Sequence, residues 1–408
     1  MTDTRPVPDY TATGHGQVSA PPVSRAPDEV RAETVGVARA GLATPPPRRR
    51  PLLTVLAVVG FIALALIMLF VLAYLIVGLG TTGVVVGAVL ALVPLAIVFA
   101  GIRWVDRWEP EPRGALVFAF LWGAGASVLI ALAVDAEIQN VIAAAGGPGP
   151  GYDFFSAAIQ APIVEEVGKG LGVLILFWAV RRHFDGPVDG IVYAAWVAGG
   201  FAFTENILYF GQALMDGSTA TTVETFFVRG IMSPFAHVMF SACLGAAVGF
   251  AAQRTGAFGV LGYFLLGLVP AVLLHAFWNG ALFFVGDFYG YYVLVQVPMF
   301  LIAIGVVALL RAQEKRLTAV RLTEYAEAGW LHPQEVAMIS TSAGRRQAHA
   351  WARRHGASRL MTTFISDATR LAYARQRILG DRDAIGAAQD EAVLLAAVAR
   401  SRHALRAG

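Results

Sequence analysis

Eight apolar runs, most of them twenty residues or more, follow one another between Leu52 and Leu310 and leave such a chain few ways to fold. About 20 apolar residues make a helix long enough to cross the hydrocarbon core of a bilayer. In lipid only a helix satisfies its backbone hydrogen bonds within a single segment. The runs lie near residues 52–78, 83–101, 114–134, 155–180, 188–212, 226–252, 258–284 and 289–311. The expected fold is all-α, a polytopic transmembrane helix bundle of about eight spans. Composition agrees: 14% of the residues are charged, against roughly 25% in ordinary soluble domains. A net charge of +3 is too small to point to nucleic acid, so the bilayer itself is the expected surrounding partner.

The loops between the runs alternate in charge. Arg48 to Arg50, then Arg103, Arg107 and Arg113, then Arg181 and Arg182, Arg254, and finally Arg311, Lys315 and Arg316 fall on one side; the other four loops carry no Lys or Arg. The positive-inside rule therefore places both termini in the cytoplasm of a multi-pass cell-membrane protein. Residues 1–51, rich in Pro, Ala, Thr and Arg, read as a disordered cytoplasmic tail and not as a signal peptide. Residues 52–311 form the expected transmembrane domain. Residues 312–408, with basic Ala-rich stretches such as "DATRLAYARQRIL", are expected to form a small cytoplasmic helical segment. The single cysteine, Cys243, has no intrachain partner.

Lipid opposes ionisable groups, yet four runs carry them. Run four holds Glu165, Glu166 and Lys169, run five Glu205 and Asn206, run six His237, and run seven His275 and Asn279. At 1.5 Å per residue, Glu165, Glu205, His237 and His275 lie about 10 to 17 Å below the boundary on the side lacking Lys and Arg. They can meet in one layer. His275 and Asn279 share a helix face, as do Glu165 and Lys169, while Glu166 is rotated by about 100°. Nearby glycines (Gly168, Gly170, Gly199, Gly200, Gly245, Gly249) permit close helix approach, and Pro162, Pro234 and Pro270 interrupt the runs near this layer. Arg229 fits either a snorkelling interface charge or a substrate contact.

Carboxylates and imidazoles around a watery pocket suit activation of water for attack on a carbonyl, with a carboxylate as general base and Asn as an oxyanion donor. His237, His275 and Glu205 equally fit a zinc site with a second Glu as base. There is no HExxH, the donors come from separate runs, and metal-free hydrolysis is slightly preferred. A proton- or ion-coupled transporter is the competing class, because intramembrane Glu, Lys and His also mark proton relays. A scaffold using polar residues to associate helices is a third.

Five motifs in order, "DRWEPEPRG" at 106–114, "APIVEEVGKG" at 161–170, "DGIVYAAWVAGGFAFTEN" at 189–206, "RGIMSPFAH" at 229–237 and "HAFWN" at 275–279, resemble the PrsW-type intramembrane proteases. That family is similar in turn to the CAAX-prenyl and bacteriocin-processing protease superfamily. The resemblance covers about residues 103–280. It implies an intramembrane endopeptidase in which Glu165 and Glu166 are the essential glutamates, completed by Glu205, His237, His275 and Asn279. Lys169, Asn206 and Arg229 are expected to support the site or the substrate. The wider superfamily has a His where FxxxEN places Glu205. The implied partner is a single-span membrane protein, as in first-site cleavage of an anti-sigma factor.

Overall fold

The computed structural model describes residues 51–256, 258–380 and 386–407, and the expected N-terminal tail lies outside them. Among the described residues there are helices and no strands. The first helix, α1 (Pro51–Val105), has 55 residues; straight, it would measure about 80 Å, more than twice the hydrocarbon thickness. It turns back at Gly80, whose φ of 66° with ψ of 165° is open to glycine alone. Before the turn it runs alongside α2 (Arg113–Ala144) in the same direction, with Phe61 against Phe118 and Met68 beside Gly125. After the turn it runs antiparallel to α4 (Pro187–Met215), with Gly87 against Ile207 and the Phe99 ring 4.4 Å from that of Trp196. Two helical halves joined at Gly80 thus supply two passes.

The other long helices are α3 (152–179), α5 (Thr219–Arg254), α6 (Val260–Ala281) and α7 (Phe288–Glu327). Among the described residues six helices are long and apolar enough to cross a membrane. Counting α1 twice and adding α3, whose apolar stretch is interrupted by Glu165, Glu166 and Lys169, returns the expected eight passes. The chain is a multi-pass membrane protein. α4 is the hub: most of its length is buried against α1, α2, α3 and α5. Its glycines make this possible, since a Cβ on Gly190 would lie 1.9 Å from the Gly245 carbonyl oxygen of α5. Backbone touches backbone at that crossing, which sets where Glu205 of α4 stands relative to His237 of α5.

Four helices contain a wide turn of the i→i+5 kind: Trp122–Ser127 in α2, Ser156–Gln160 in α3, Phe227–Met232 in α5 and Tyr292–Gln296 in α7. Each shifts the phase of the residues that follow, and such turns gather at functional sites. α5 also breaks at Ser233–Phe235 around Pro234, so Ala236 begins a new helical segment one residue before His237.

The C-terminal residues form a packed unit with a core of its own. The end of α7 joins α8 (Pro333–Ser340), α9 (Ser342–Arg354), α10 (Ser358–Leu379) and α11 (Ala387–Ala407) around Leu322, Ile339, Phe364, Leu371 and Val398. This unit grips the loop after α1: Arg345 Nη1 donates to the Trp108 carbonyl at 2.6 Å, and its guanidinium lies 3.4 Å from the centre of the Trp108 ring. Arg377 pairs with Asp185, in the loop before α4, at 2.5 Å.

Candidate active site

Glu165, Glu166 and Lys169 lie one turn beyond the wide turn in α3, on the face turned toward α5 and α6. Lys169 is fully buried, and its Nζ donates to Glu166 Oε1 at 2.7 Å and to Glu165 Oε2 at 3.3 Å. The same nitrogen stands 3.1 Å from His237 Nδ1 and 4.3 Å from the centre of the Phe201 ring. An ammonium this deep persists only because its charge is balanced on several sides. Glu166, also fully buried, accepts from Ser241 Oγ at 2.7 Å and meets His275 Nδ1 at 3.1 Å. Every polar contact of Glu165 uses Oε2; among the described residues its Oε1 makes no hydrogen bond.

The two histidines are held in the same way. His237 points Nδ1 at Glu165 Oε2, 3.9 Å away, and Nε2 at Glu205 Oε2, 2.8 Å away. His275 points Nε2 at Glu165 Oε2, also 3.9 Å away, and Nδ1 at Glu166. Each ring thus offers one nitrogen to a shared centre while a carboxylate engages the other. Phe240 stacks on the His275 ring with centroids 4.7 Å apart, which fixes its plane. Glu205 is anchored in turn by Arg229 at 2.5 Å, and Arg229 Nε donates to Asn206 Oδ1 at 3.1 Å. Arg229 sits on the wide turn of α5 with its guanidinium 3.8 Å from the centre of the Tyr209 ring. Asn279 donates an amide proton to the Ala157 carbonyl at 3.0 Å, in the wide turn of α3, and lines the adjoining cavity.

Two cavities flank the cluster. One, of about 320 Å³, is lined by Glu205, Arg229, His237, His275 and Asn279; the other, of about 200 Å³, is reached by Glu165, Gln160 and Asp135. Glu205 and Tyr209 line both. Along α4 the ten residues from Glu205 to Met215 correspond to about 15 Å, and the eighteen back to Pro187 to about 27 Å. The cluster is therefore off-centre, nearer the side whose loops lack Lys and Arg.

The donor set that converges is Glu165, His237 and His275, whose ligand atoms lie within 4.8 Å of one another. This differs from the expected metal set: Glu205 faces the outer nitrogen of His237, where Arg229 holds it, and Glu165 takes its place. Two imidazoles and a carboxylate are a known catalytic zinc set, and a carboxylate on the far nitrogen of a ligating histidine is its usual orienting partner. The residues fit a metal. Lys169 Nζ lies 3.3 Å from Glu165 Oε2 and 3.1 Å from His237 Nδ1, so a metal at this centre would share two of its three donors with the ammonium. Ser241 was not singled out in the sequence, although it lies four residues after His237 on the same helix face; that spacing was the available signal.

Residues 111–303 match the sequence model of a family described as PrsW family intramembrane metalloprotease. The stretch that carries the cluster is similar to PrsW-type proteases. It is 33% identical over 159 residues to Protease PrsW of Clostridioides difficile, a stretch that is 38% of this chain and 62% of that protein. It is 36% identical over 141 residues to Protease PrsW of Geobacillus kaustophilus, 34% of this chain and 55% of the relative. Protease PrsW of Bacillus subtilis is 29% identical over 174 residues, 42% of this chain and 70% of the relative. The matched stretch thus spans little more than half the length of the first two curated relatives. No solved structure gives a significant match. The PrsW-type match includes every residue of the cluster and ends before the C-terminal helices, and nothing in these comparisons favours a transporter.

Proposed function

We propose that the chain is an intramembrane metalloendopeptidase that hydrolyses peptide bonds of membrane-anchored proteins. The observation that carries this reading is the pair of histidines, each aimed at Glu165 through one ring nitrogen and engaged by a carboxylate, Glu205 or Glu166, through the other. Glu165, His237 and His275 would hold the metal, which polarises a carbonyl and lowers the pKa of water when bound. The family description and these two carboxylate–imidazole pairs favour the metal over metal-free hydrolysis.

The chain's own residues divide the remaining work. Glu165 Oε1, without a hydrogen bond among the described residues, takes the proton of the attacking water. Glu166 and Glu205 hold the rings in place, and Arg229 and Asn206 fix Glu205. Arg229 and Asn279 line the larger cavity as donors for the substrate carbonyl. The loop charges support an orientation with both termini in the cytoplasm, and in that orientation the proposed cut falls near the extracytoplasmic end of a single-span substrate. A membrane-spanning anti-sigma factor is the substrate class that the family resemblance suggests.

The test is purified protein in lipid vesicles with a candidate single-span substrate. Glu165→Gln should lower cleavage at least about 100-fold while leaving the protein inserted. Cleavage should be lost to a strong chelator and restored by zinc. Full cleavage by metal-free protein would end the metal assignment, and full cleavage by Glu165→Gln would end the site assignment.

A further inference from the structure

A cavity of about 590 Å³ lies well away from the proteolytic cluster, between the loop after α1, the middle of α7 and the faces of α9 and α10. Its lining is cationic: Arg107, Arg311, Lys315, Arg345 and Arg346 all reach it, and His349 joins them. Arg345 is fully occupied, donating to the carbonyls of Ile339 and Trp108 and to Thr369 Oγ1. The others are not. Asp185 is engaged by Arg377, Glu324 by Arg321 and Arg375, and Glu335 by Arg402, while Glu314, whose charge acts on Arg311, makes no ion pair among the described residues. Among the described residues Arg107, Arg311, Lys315 and Arg346 make no ion pair.

Arg311 is the most telling of these. It is only 8% exposed, its Nε has no hydrogen-bond partner, and its guanidinium lies over the Trp104 ring at 4.2 Å. A buried guanidinium without an acceptor is unfavourable unless something supplies one. The single carboxylate in the lining does not supply it. Burial, with Asp185, Asp189 and Glu314 nearby, pushes the Glu109 carboxyl well above the usual range, which disfavours its charged form as a counter-ion. The surrounding field has the same sign, for burial and then Arg345, Arg353 and Arg107 press the His349 pKa down. Ser342 and Ser366 add hydroxyl groups to the lining.

We propose that this cavity binds a phosphate group, with Arg311 at its floor and Lys315 and Arg346 at its sides. Guanidinium and ammonium donors around a water-accessible pocket are the recurrent chemistry of phosphate recognition. Two sources share that chemistry. Trp104 and Arg311 stand where α1 and α7 leave the apolar region, the level of lipid headgroups, and basic pockets at that level hold anionic headgroups. A soluble phosphate could reach the same cavity from the open side.

The experiment uses the full chain, delipidated in a zwitterionic detergent, and follows its thermal unfolding during titration with phosphatidylglycerol, phosphatidylcholine or inorganic phosphate at matched ionic strength. Wild-type protein should be stabilised by phosphatidylglycerol, and by inorganic phosphate as well if the source is soluble. Lys315→Gln combined with Arg346→Gln should weaken the half-saturation by at least about tenfold, the factor for losing one charge-assisted contact. Arg354→Gln with Arg359→Gln, exposed residues outside the lining, should leave it unchanged. No response of the wild type to either phosphatidylglycerol or inorganic phosphate overturns the proposal. So does a response equal for phosphatidylcholine, or one that survives in the Lys315/Arg346 variant.

Discussion

Lys169 is the side chain on which the stability of the cluster should depend most. Its ammonium, fully buried, is shared by Glu166 at 2.7 Å, Glu165 at 3.3 Å and His237 Nδ1 at 3.1 Å. Lys169→Met keeps most of the volume and removes the charge, leaving Glu166 with Ser241 and His275 alone against full burial. Removing one partner of a buried ion pair costs about 3 to 5 kcal/mol. In thermal unfolding that is a fall of roughly 6 to 20 °C. Removing the second charge as well should restore most of the loss, because a neutral replacement of the whole pair is often tolerated. The assay is therefore a double-mutant cycle of Lys169→Met and Glu166→Gln, read by unfolding in a fixed detergent, and a coupling of at least about 2 kcal/mol is expected. A single variant that melts with the wild type, or a double variant no better than Lys169→Met, would refute the reasoning. Zinc should stabilise Lys169→Met more than wild type, since a cation at Glu165, His237 and His275 replaces the missing charge.

Burial pushes the Asp106 carboxyl up to about 6, against the backbone N–H of Glu111 and the charge of Arg103, which pull it down. The folded state then holds that proton more tightly than the unfolded chain, so stability falls as pH rises from about 4 to about 6 and stays reduced above. Asp106→Asn keeps the acceptor for Glu111 N–H and removes the ionisation; it should raise stability at pH 7.5 by at most about 3 kcal/mol and by nothing below pH 4, and a gain independent of pH would contradict the cause. Asn279→Ala should lower stability by about 1 to 3 kcal/mol by leaving the Ala157 carbonyl unpaired, and an unchanged melting temperature would detach it from the wide turn of α3. Cysteines at Ser218 and Gly286 should react with an impermeant reagent outside intact cells and one at Gly186 should not; labelling at Gly186 would reverse the orientation.

The helical class and the number of passes were legible because both follow from the length of apolar runs, and lipid allows few alternatives. Depth along the helices was legible too: a rise of 1.5 Å per residue is enough to place Glu165, Glu205, His237 and His275 in one layer, and the structure brings them together. Rotation about the helix axes was not. The wide turns at Ser156–Gln160 and Phe227–Met232 shift the phase of α3 and α5, and Pro234 restarts α5 just before His237. Which carboxylate closes the centre depends on those phases and on Arg229, which draws Glu205 to the outer side of His237. The reversal of α1 at Gly80 was visible in outline as two runs, although no residue but that glycine announces it. The C-terminal unit was read as a small appendage because its basic Ala-rich helices show no membrane signal; its contacts with Trp108 and Asp185 are long-range and leave no local pattern.

The charge balance of the cluster ties its stability to the proposed chemistry. Three carboxylates, Glu165, Glu166 and Glu205, face one ammonium and one guanidinium, Lys169 and Arg229, so with neutral imidazoles the group carries a net −1. An isolated negative charge at this depth is unfavourable, and the cluster relieves it by taking up positive charge. A proton or a metal ion can supply that charge, and both go to the donors that Lys169 already partly covers, Glu165 and His237. The lysine thus holds the carboxylates together while sharing two of the centre's donors, and Glu165, bound through one oxygen, keeps the other for the proton of water. A buried charge set left one positive charge short of balance is costly as scaffolding. It is useful where protons must be taken up and released.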